Sequence, residues 1–186
     1  RIYQYITGHV TYDYDGLNDM NEQIAMYGSS YQTKVPQRYF LPYTAYAALM
    51  NGTSVCQGYA TLFYAMCRIE GIPVRVITSE DHAWNIVCLN GIWYNVDATW
   101  DAGHSTNPKY FLKSAASFND GDHVREYPFN TASFEASYPI SSTDYVSHTR
   151  YWDVEEGNYH IGNIERVSEL APDERRGCGA SHVWPR

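Results

Sequence analysis

Apolar side chains recur at helical spacing over residues 59–69, and polar residues bound this run on both sides. Gly71 and Pro73 follow the run and predict that the helix ends before them. Nearly every face of the helix is apolar, so we expect it to be central and buried. Its apolar positions are Tyr59, Ala60, Leu62, Phe63, Ala65, Met66 and Ile69.

Two strand-like segments, residues 81–89 and 92–99, lie on either side of Asn90-Gly91. Asn-Gly is the strongest short signal for a hairpin with a two-residue turn, and such a turn pairs Leu89 with Ile92. Because side chains alternate along a strand, one face of this hairpin carries His82, Trp84, Asp97 and Thr99. Diagonal neighbours lie roughly 7–8 Å apart, so His82 and Asp97 are within reach of a shared hydrogen bond.

Weaker patterns predict the elements that precede the central helix. Residues 1–12 favour a short helix. Residues 13–40 are polar and favour a long loop, with one helical turn near residues 21–26. Thr44 is a suitable N-cap for a further short helix, which Asn51-Gly52 should end before the chain reaches the central helix.

Beyond the central helix, residues 74–78 are β-branched and predict a strand beside the strand of His82. Residues 110–112 predict another strand, and Asp122-His123 is expected in a loop. The chain changes character at residue 130, where short alternating pieces lead into a polar tail. We therefore predict one domain over residues 1–129 and an extension over residues 130–186, which adds strands or begins a second module.

Composition and charge restrict the class of protein. A chain of 186 residues accommodates one full core and not two ordinary domains. The net charge is −8 and there are only three lysines, which argues against binding to nucleic acid or to an anionic membrane. No run approaches the roughly 20 apolar residues that a membrane span needs. The chain opens in mid-pattern at Arg1, which indicates a segment upstream.

The four cysteines do not suggest a disulfide framework. Cys56 and Cys67 lie on the same predicted helix and cannot bridge. Cys88 belongs to the hairpin, and Cys178, between glycines, is interpreted as a loop thiol. The chain has no Cys-x-x-Cys pair and no His-Glu-x-x-His motif, so we expect neither a metal site nor a cofactor.

Cys56 lies where a polar loop turns into the central helix. Unpaired backbone N–H groups and the helix dipole favour a thiolate at this position, and the thiolate is the nucleophilic form of cysteine. With His82 as base and Asp97 as the group that orients it, Cys56 completes a possible catalytic triad. The alternatives are an inert buried cysteine, a strand-edge histidine bonded to a carbonyl, and an aspartate that caps a strand.

The combined motifs resemble the transglutaminase-like superfamily of papain-related cysteine enzymes, and more narrowly its bacterial members. The resemblance covers residues 40–125, with weaker extensions to residues 12–13, 110–114 and 122–123. It keeps the family's order of Cys, His and Asp. The matching segments are Gly52-x-x-Val55-Cys56-Gln57-Gly58-Tyr59-Ala60, Gly71-Ile72-Pro73-Val74, Asp81-His82-Ala83-Trp84-Asn85 and Trp93-Tyr94-Asn95-Val96-Asp97-Ala98-Thr99-Trp100-Asp101.

This resemblance implies an α+β fold in which the helix that begins with the cysteine packs on an antiparallel sheet carrying the histidine and the aspartate. It also implies a cysteine-dependent amide hydrolase, a peptidase that works through a thioester. A transglutaminase that transfers the acyl group to an amine, and an inactive surface module that binds peptides or glycans, remain open.

Several further features are expected of such an enzyme. The Cys56 N–H should stabilise the oxyanion together with a side chain from upstream, for which Tyr46 and Asn51 are candidates, and Trp84 and Trp100 are candidates for the cleft. The substrate is expected to be a peptide or protein, which includes cell-wall peptides. Composition favours an extracellular or cell-surface location, without excluding the cytoplasm.

Overall fold

A single helix that starts at the candidate nucleophile packs on a three-stranded antiparallel sheet in the computed structural model. This helix, α4, is Cys56–Ile69. The sheet has the order β3 (Val74–Thr78), β4 (Ala83–Leu89) and β5 (Ile92–Val96). The structure describes residues 1–105 and 108–146, and the backbone of 148–153 and 158–163. The fold is α+β, as the sequence predicts.

The predicted hairpin register is confirmed. Leu89 pairs with Ile92, and the ladder continues to the pair Asn85 and Val96. Both turn residues have left-handed backbones, with φ of 51° at Asn90 and 83° at Gly91. A type I′ turn needs positive φ at both positions, and this is why Asn-Gly specifies the hairpin. The strand predicted at residues 74–78 is also confirmed and pairs with β4.

The predicted N-terminal helix is confirmed as α1, Ile2–His9. Its buried residues Tyr3 and Ile6 belong to the same hydrophobic cluster as the apolar side of α4. The chain then forms β1, Thr11–Tyr12, which runs parallel to β2, Thr53–Ser54. This short ladder joins the start of the chain to the loop that leads into α4.

The prediction of a long loop over residues 13–40 is wrong. These residues form α2 (Tyr14–Tyr27), a 3-10 turn (Gly28–Ser30), α3 (Tyr31–Lys34) and the start of a second 3-10 segment. Asp13 caps α2, because its carboxylate accepts the N–H of Gly16 at 2.8 Å. Met20 is the one residue that this helix buries.

The segment before α4 has the N-cap and the helix end that the sequence predicts. After the second 3-10 segment, Gln37–Tyr43, the side chain of Thr44 accepts the N–H of Ala47 at 3.2 Å. The turn that follows, Ala47–Asn51, is π-helical, and it ends at Gly52 with a φ of 67°. The left-handed glycine reverses the chain into β2.

No strand forms at residues 110–112, so that prediction is wrong. Leu112 has a φ of 54°, which is incompatible with a β-strand. The segment still reaches the sheet, because Asn95 and Lys113 form an isolated bridge and the N–H of Asp97 donates to the Tyr110 carbonyl at 2.9 Å.

Helix α5, Ala132–Ser137, follows residue 130, and a parallel bridge joins Trp93 to Ile140. Two further strands, β6 (His148–Asp153) and β7 (Asn158–Asn163), pair antiparallel with each other. Division of the chain into domains at residue 129 stays a prediction.

Cys88 is disulfide-bonded, which the sequence analysis did not predict. Cys178, interpreted from the sequence as a loop thiol, lies outside the described residues. Cys56 and Cys67 are free thiols. Hydrophobicity did not reveal the disulfide, since Cys88 occupies an ordinary buried position in β4.

Candidate active site

Cys56 is the first residue of α4 and is partly exposed. The residue before it, Val55, is extended and fully buried, so it anchors the loop from which the thiol emerges. On the next turn of the helix, the N–H of Gly58 donates to the Val55 carbonyl at 2.9 Å. The thiol therefore lies at the positive end of a 14-residue helix.

His82 lies just before β4 in a tight loop that Ser79 closes. The Ser79 hydroxyl accepts the His82 backbone N–H at 3.0 Å, and the Ser79 N–H donates to the His82 carbonyl at 2.9 Å. The His82 Nε2 is 2.6 Å from Oδ2 of Asp97. The diagonal contact that the hairpin register predicts is therefore present.

The thiol and the imidazole also interact. Burial alone would lower the pKa of His82, but hydrogen bonds with Asp97 and Cys56 and the attraction of their charges raise this pKa from 6.5 to about 10. The His82 side chain is 11% exposed, so it remains in contact with the surface. His82 thus contacts the Asp97 carboxylate directly, and its pKa also responds to the Cys56 thiol.

Asp97 is fully buried, and both oxygens of its carboxylate accept hydrogen bonds. Its Oδ1 accepts the backbone N–H groups of Thr99 at 2.8 Å and Trp100 at 3.2 Å. Its Oδ2 accepts from His82 and from a second histidine, His123, at 3.0 Å. Burial would raise the pKa of Asp97, but the hydrogen bonds and charges of the two histidines lower it below 3.8.

His123 is a member of this site that the sequence did not identify beyond a loop position. Its side chain is fully buried. His82, Asp97 and His123 offer three ligand atoms within 4.8 Å of one another, so among the described residues they form a group with the spacing of a metal site. The hydrogen bonds that Asp97 makes to both rings account for this closeness.

Two tyrosines lie at the thiol. Burial, and then the charge of Cys56, raise the pKa of the Tyr12 hydroxyl, whereas a hydrogen bond with the Cys56 backbone N–H acts in the opposite direction. Burial and the charge of Cys56 also raise the pKa of Tyr43. The sequence hypothesis named Tyr46 and Asn51 instead. Tyr46 is 61% exposed, and Asn51 is exposed at the end of the π-helical turn.

Trp84 and Trp100 both contact the His82 ring. Trp84 is buried and stacks on it at 5.9 Å between ring centroids. Trp100 is 38% exposed and lies 5.7 Å from it. Two cavities reach both His82 and Trp100, so Trp100 stands between them.

The two cavities differ in character. One, of about 590 Å³, has Tyr12, Tyr14 and Leu17 in its walls. The other, of about 530 Å³, has the acidic side chains Glu80, Asp81, Asp122 and Glu126 in its walls, together with Arg125. A chain that crosses Trp100 would meet an aromatic wall on one side and an acidic wall on the other.

Tyr3, in the N-terminal helix α1, supports the backbone at Asp97 and the loop that follows it. The Tyr3 hydroxyl donates to the backbone carbonyl of Asp97 at 2.7 Å and also contacts the Asp101 carboxylate. Asp101 accepts the N–H groups of Lys109 and Tyr110 at 2.7 and 2.8 Å. A buried carboxylate thus secures the loop that follows Asp97.

Comparison with known proteins identifies the class. The family model of the transglutaminase-like superfamily matches residues 1–98, and the chain belongs to this superfamily. It is similar to the kyphoscoliosis peptidases of Homo sapiens and Mus musculus, each 38% identical over 26% of this chain and 10% of the relative. The chain therefore spans about a tenth of the length of these curated relatives.

A solved structure described as the crystal structure of a TGase also matches in part. It is 24% identical and covers 52% of this chain and 24% of its own, with a TM-score of 0.40.

Across the part of the chain that the structure describes, no helix has both the length and the apolar character of a membrane span.

Proposed function

We propose that this protein is a cysteine-dependent hydrolase of amide bonds that works through a thioester. One observation supports this function above the others: Cys56, at the start of α4, interacts with His82, whose far nitrogen is 2.6 Å from the buried Asp97 carboxylate. This order of thiol, imidazole and carboxylate is what a nucleophile, its base and an orienting group require.

In the first half of the reaction, the Cys56 sulfur attacks the carbonyl carbon of the substrate while His82 holds the thiol proton. The tetrahedral oxyanion collapses, the carbon–nitrogen bond breaks, and His82 gives its proton to the leaving amine. In the second half, His82 removes a proton from water, which attacks the thioester. The carboxylate product leaves as His82 returns the proton to Cys56.

The oxyanion is held by the Cys56 backbone N–H and the Tyr12 hydroxyl. The Tyr12 hydroxyl and the Cys56 backbone N–H interact with each other. When the oxyanion forms, it replaces the Tyr12 oxygen as acceptor for the backbone N–H, and the hydroxyl becomes a donor to it. Two donors aimed at one oxygen are the usual requirement for acyl transfer.

The substrate is a peptide or protein, including cell-wall peptides, that crosses Trp100 between the two cavities. The disulfide at Cys88 supports action outside the cytosol, where disulfides persist. The name of the similar kyphoscoliosis peptidases is consistent with hydrolysis.

Transfer of the acyl group to an amine is the second candidate. It is favoured by the acidic wall near His82, formed by Glu80, Asp81, Asp122 and Glu126, because that wall attracts a cationic amine. The two reactions leave different products on a glutamine-containing peptide. Hydrolysis converts the side chain to glutamate, whereas transfer attaches the amine.

The test is accurate mass measurement after incubation with a library of peptides and cell-wall fragments, with and without a primary amine. We expect a thioester adduct on Cys56 and cleaved or deamidated product in wild type, and neither in Cys56→Ala. Cys67→Ala is the matched control, since Cys67 is a free thiol in the same helix that is buried away from the cleft.

An inactive binding module gives a different result. Iodoacetamide at pH 6 should alkylate Cys56 and leave Cys67 unmodified, because burial raises the pKa of Cys67 to about 12. Equal inertness of both thiols, with no adduct from any library member, would overturn the proposed function.

A further inference from the structure

His123 lies between two carboxylates. Its Nε2 is 3.0 Å from Asp97 Oδ2, and its Nδ1 is 2.9 Å from each oxygen of Asp120. A carboxylate only accepts hydrogen bonds, so both ring nitrogens donate in this arrangement. The ring is therefore held at both of its nitrogens.

Backbone N–H groups hold Asp120, the carboxylate on the Nδ1 side of His123. Asp120 Oδ1 also accepts the N–H groups of Asp122 at 3.1 Å and of His123 at 3.2 Å. Burial would raise the pKa of Asp120, but hydrogen bonds and electrostatic interaction with His123 lower it. The Asp120 carboxylate is therefore held in place and orients the His123 ring.

Aromatic side chains surround the His123 ring and keep it from rotating. The closest is Phe118, at 4.0 Å between centroids, and the others are Trp100 at 4.6 Å, Trp84 at 5.1 Å and Tyr110 at 5.6 Å. The ring consequently has one orientation in which it can donate to Asp97.

Asp97 depends on that donation. Its Oδ1 is fixed by two backbone N–H groups, whereas its Oδ2 has only the two histidines as partners among the described residues. One of these, His82, must move protons during the reaction. His123 is the partner that can hold Oδ2 while His82 changes its protonation state.

We infer that His123 is a positioning residue for acyl transfer, which holds the Asp97 carboxylate so that it orients His82 throughout the cycle. This inference rests on the proposed function of Cys56, His82 and Asp97. Among the described residues, the side-chain hydrogen bonds of the His123 ring go to Asp97 and Asp120, so it acts through Asp97.

Two amide substitutions distinguish a positioning role of His123 from a purely structural role. His123→Gln places an amide N–H₂ near the position of Nε2 and keeps the donor to Asp97. His123→Asn places its amide near the position of Nδ1, so it keeps the contact with Asp120 and loses the one with Asp97. Both remove the ring.

We expect kcat to fall by about 10- to 100-fold in His123→Asn, with KM unchanged, because a hydrogen bond to a charged group is lost. His123→Gln should retain kcat within a few-fold of wild type. Assays contain EDTA, so that a metal ion held by His82, Asp97 and His123 makes no contribution. Similar losses in both variants, or none in either, would overturn the inference.

A second measurement separates this inference from the proposed function. The rate of Cys56 alkylation by iodoacetamide at pH 6 needs no substrate turnover, and it should fall in His123→Asn and not in His123→Gln. If wild type cleaves no peptide but this contrast holds, the proposed function fails and the positioning role stands.

The design also covers a variant that does not fold. If His123→Asn lacks a cooperative thermal transition, Asp120→Asn replaces it, because it weakens the contact that orients the Nδ1 side of the ring. An unchanged kcat and alkylation rate in folded Asp120→Asn would then count against the inference, and a fall in both would support it.

Discussion

Tyr12 and Ser54 are partners in the parallel ladder that joins β1 to β2. Ser54 lies two positions before Cys56 in the chain, so this pairing brings Tyr12 close to Cys56. The N–H of Asp13 stabilises the pairing by donating to the Ser54 carbonyl at 3.0 Å. A residue from the start of the chain therefore reaches the start of α4. Its proposed role as an oxyanion donor has a direct test.

Tyr12→Phe removes the hydroxyl and keeps the ring. We expect kcat on peptide substrates to fall by about 10²- to 10³-fold, which is the usual cost of removing one oxyanion donor. Alkylation of Cys56 by iodoacetamide should keep its rate, because that displacement forms no oxyanion. Tyr14→Phe is the control, since Tyr14 lines the same cavity and packs on Tyr12 at 4.8 Å. Equal loss in both reactions would mean that Tyr12 acts on the thiol and not on the oxyanion.

The pH dependence of activity reports on His82. Its pKa of about 10 means that the imidazole keeps its proton well above neutrality, and this proton is needed by the leaving amine. We therefore expect kcat/KM to decline with rising pH through about 10 in wild type.

Asp97→Asn removes a hydrogen bond and a charge that both raise the pKa of His82. The alkaline limb should then move towards 6.5, the ordinary value of histidine, and turnover should fall by about 10³- to 10⁴-fold. An activated ester substrate makes the slow variant measurable. If the alkaline limb of the pH profile does not move, Asp97 does not set the pKa of His82.

Stability should depend on pH through the same group. A pKa raised from 6.5 to about 10 on folding stabilises the protein fully below pH 6.5, and this contribution is lost as the pH rises towards 10. Asp97 has the opposite dependence, because its pKa is lowered on folding, so its contribution is present above pH 3.8 and is lost in more acidic solution.

The measurement is urea unfolding of wild type and His82→Gln at pH 6, 8 and 10. The difference in unfolding free energy between the two proteins isolates His82 from other titrating groups, and it should shrink as the pH rises. A difference of the same size at all three values would contradict the assigned pKa.

Gly58 allows a test of the loop before Cys56. A Cβ on Gly58 would lie 1.7 Å from the Ser54 hydroxyl and 2.8 Å from the Thr44 carbonyl oxygen. We expect Gly58→Ala to destabilise the protein by about 1–3 kcal/mol through this overlap, although alanine is normally the better helix residue.

The matched control is Gly8→Ala, another glycine in a helix, where the nearest contact of the added Cβ is 3.6 Å. That variant should be neutral or more stable by up to about 1 kcal/mol in chemical denaturation. Ser54→Gly combined with Gly58→Ala removes the closest contact and should recover part of the loss. If the double variant recovers no stability, the overlap with Ser54 is not the cause of the loss.

The sequence predicted the parts of the site that local rules determine. Asn90-Gly91 specifies a turn with one register, and that register is sufficient to place His82 opposite the end of the strand that carries Asp97. The position of Cys56 followed from the abrupt change between a polar loop and an apolar helix.

The remaining parts of the site depend on packing between distant segments. Tyr12 reaches Cys56 only because β1 pairs with β2, and His123 reaches Asp97 through a loop without regular structure. Helix α2 was missed because the polar residues and glycines of this segment favoured a loop, although Leu17, Met20 and Ile24 recur at helical spacing. The strand at 110–112 was wrong because Leu112 adopts a left-handed backbone, which its residue type does not signal.

The buried amide of Asn85 donates to the Ala60 carbonyl in α4 at 3.0 Å and to the Arg75 carbonyl in β3 at 3.1 Å. The Asn85 side chain therefore joins α4, which begins with Cys56, to the sheet next to His82. The position of the proposed nucleophile is thus tied to the sheet through the core, independently of the side chains that face the cleft.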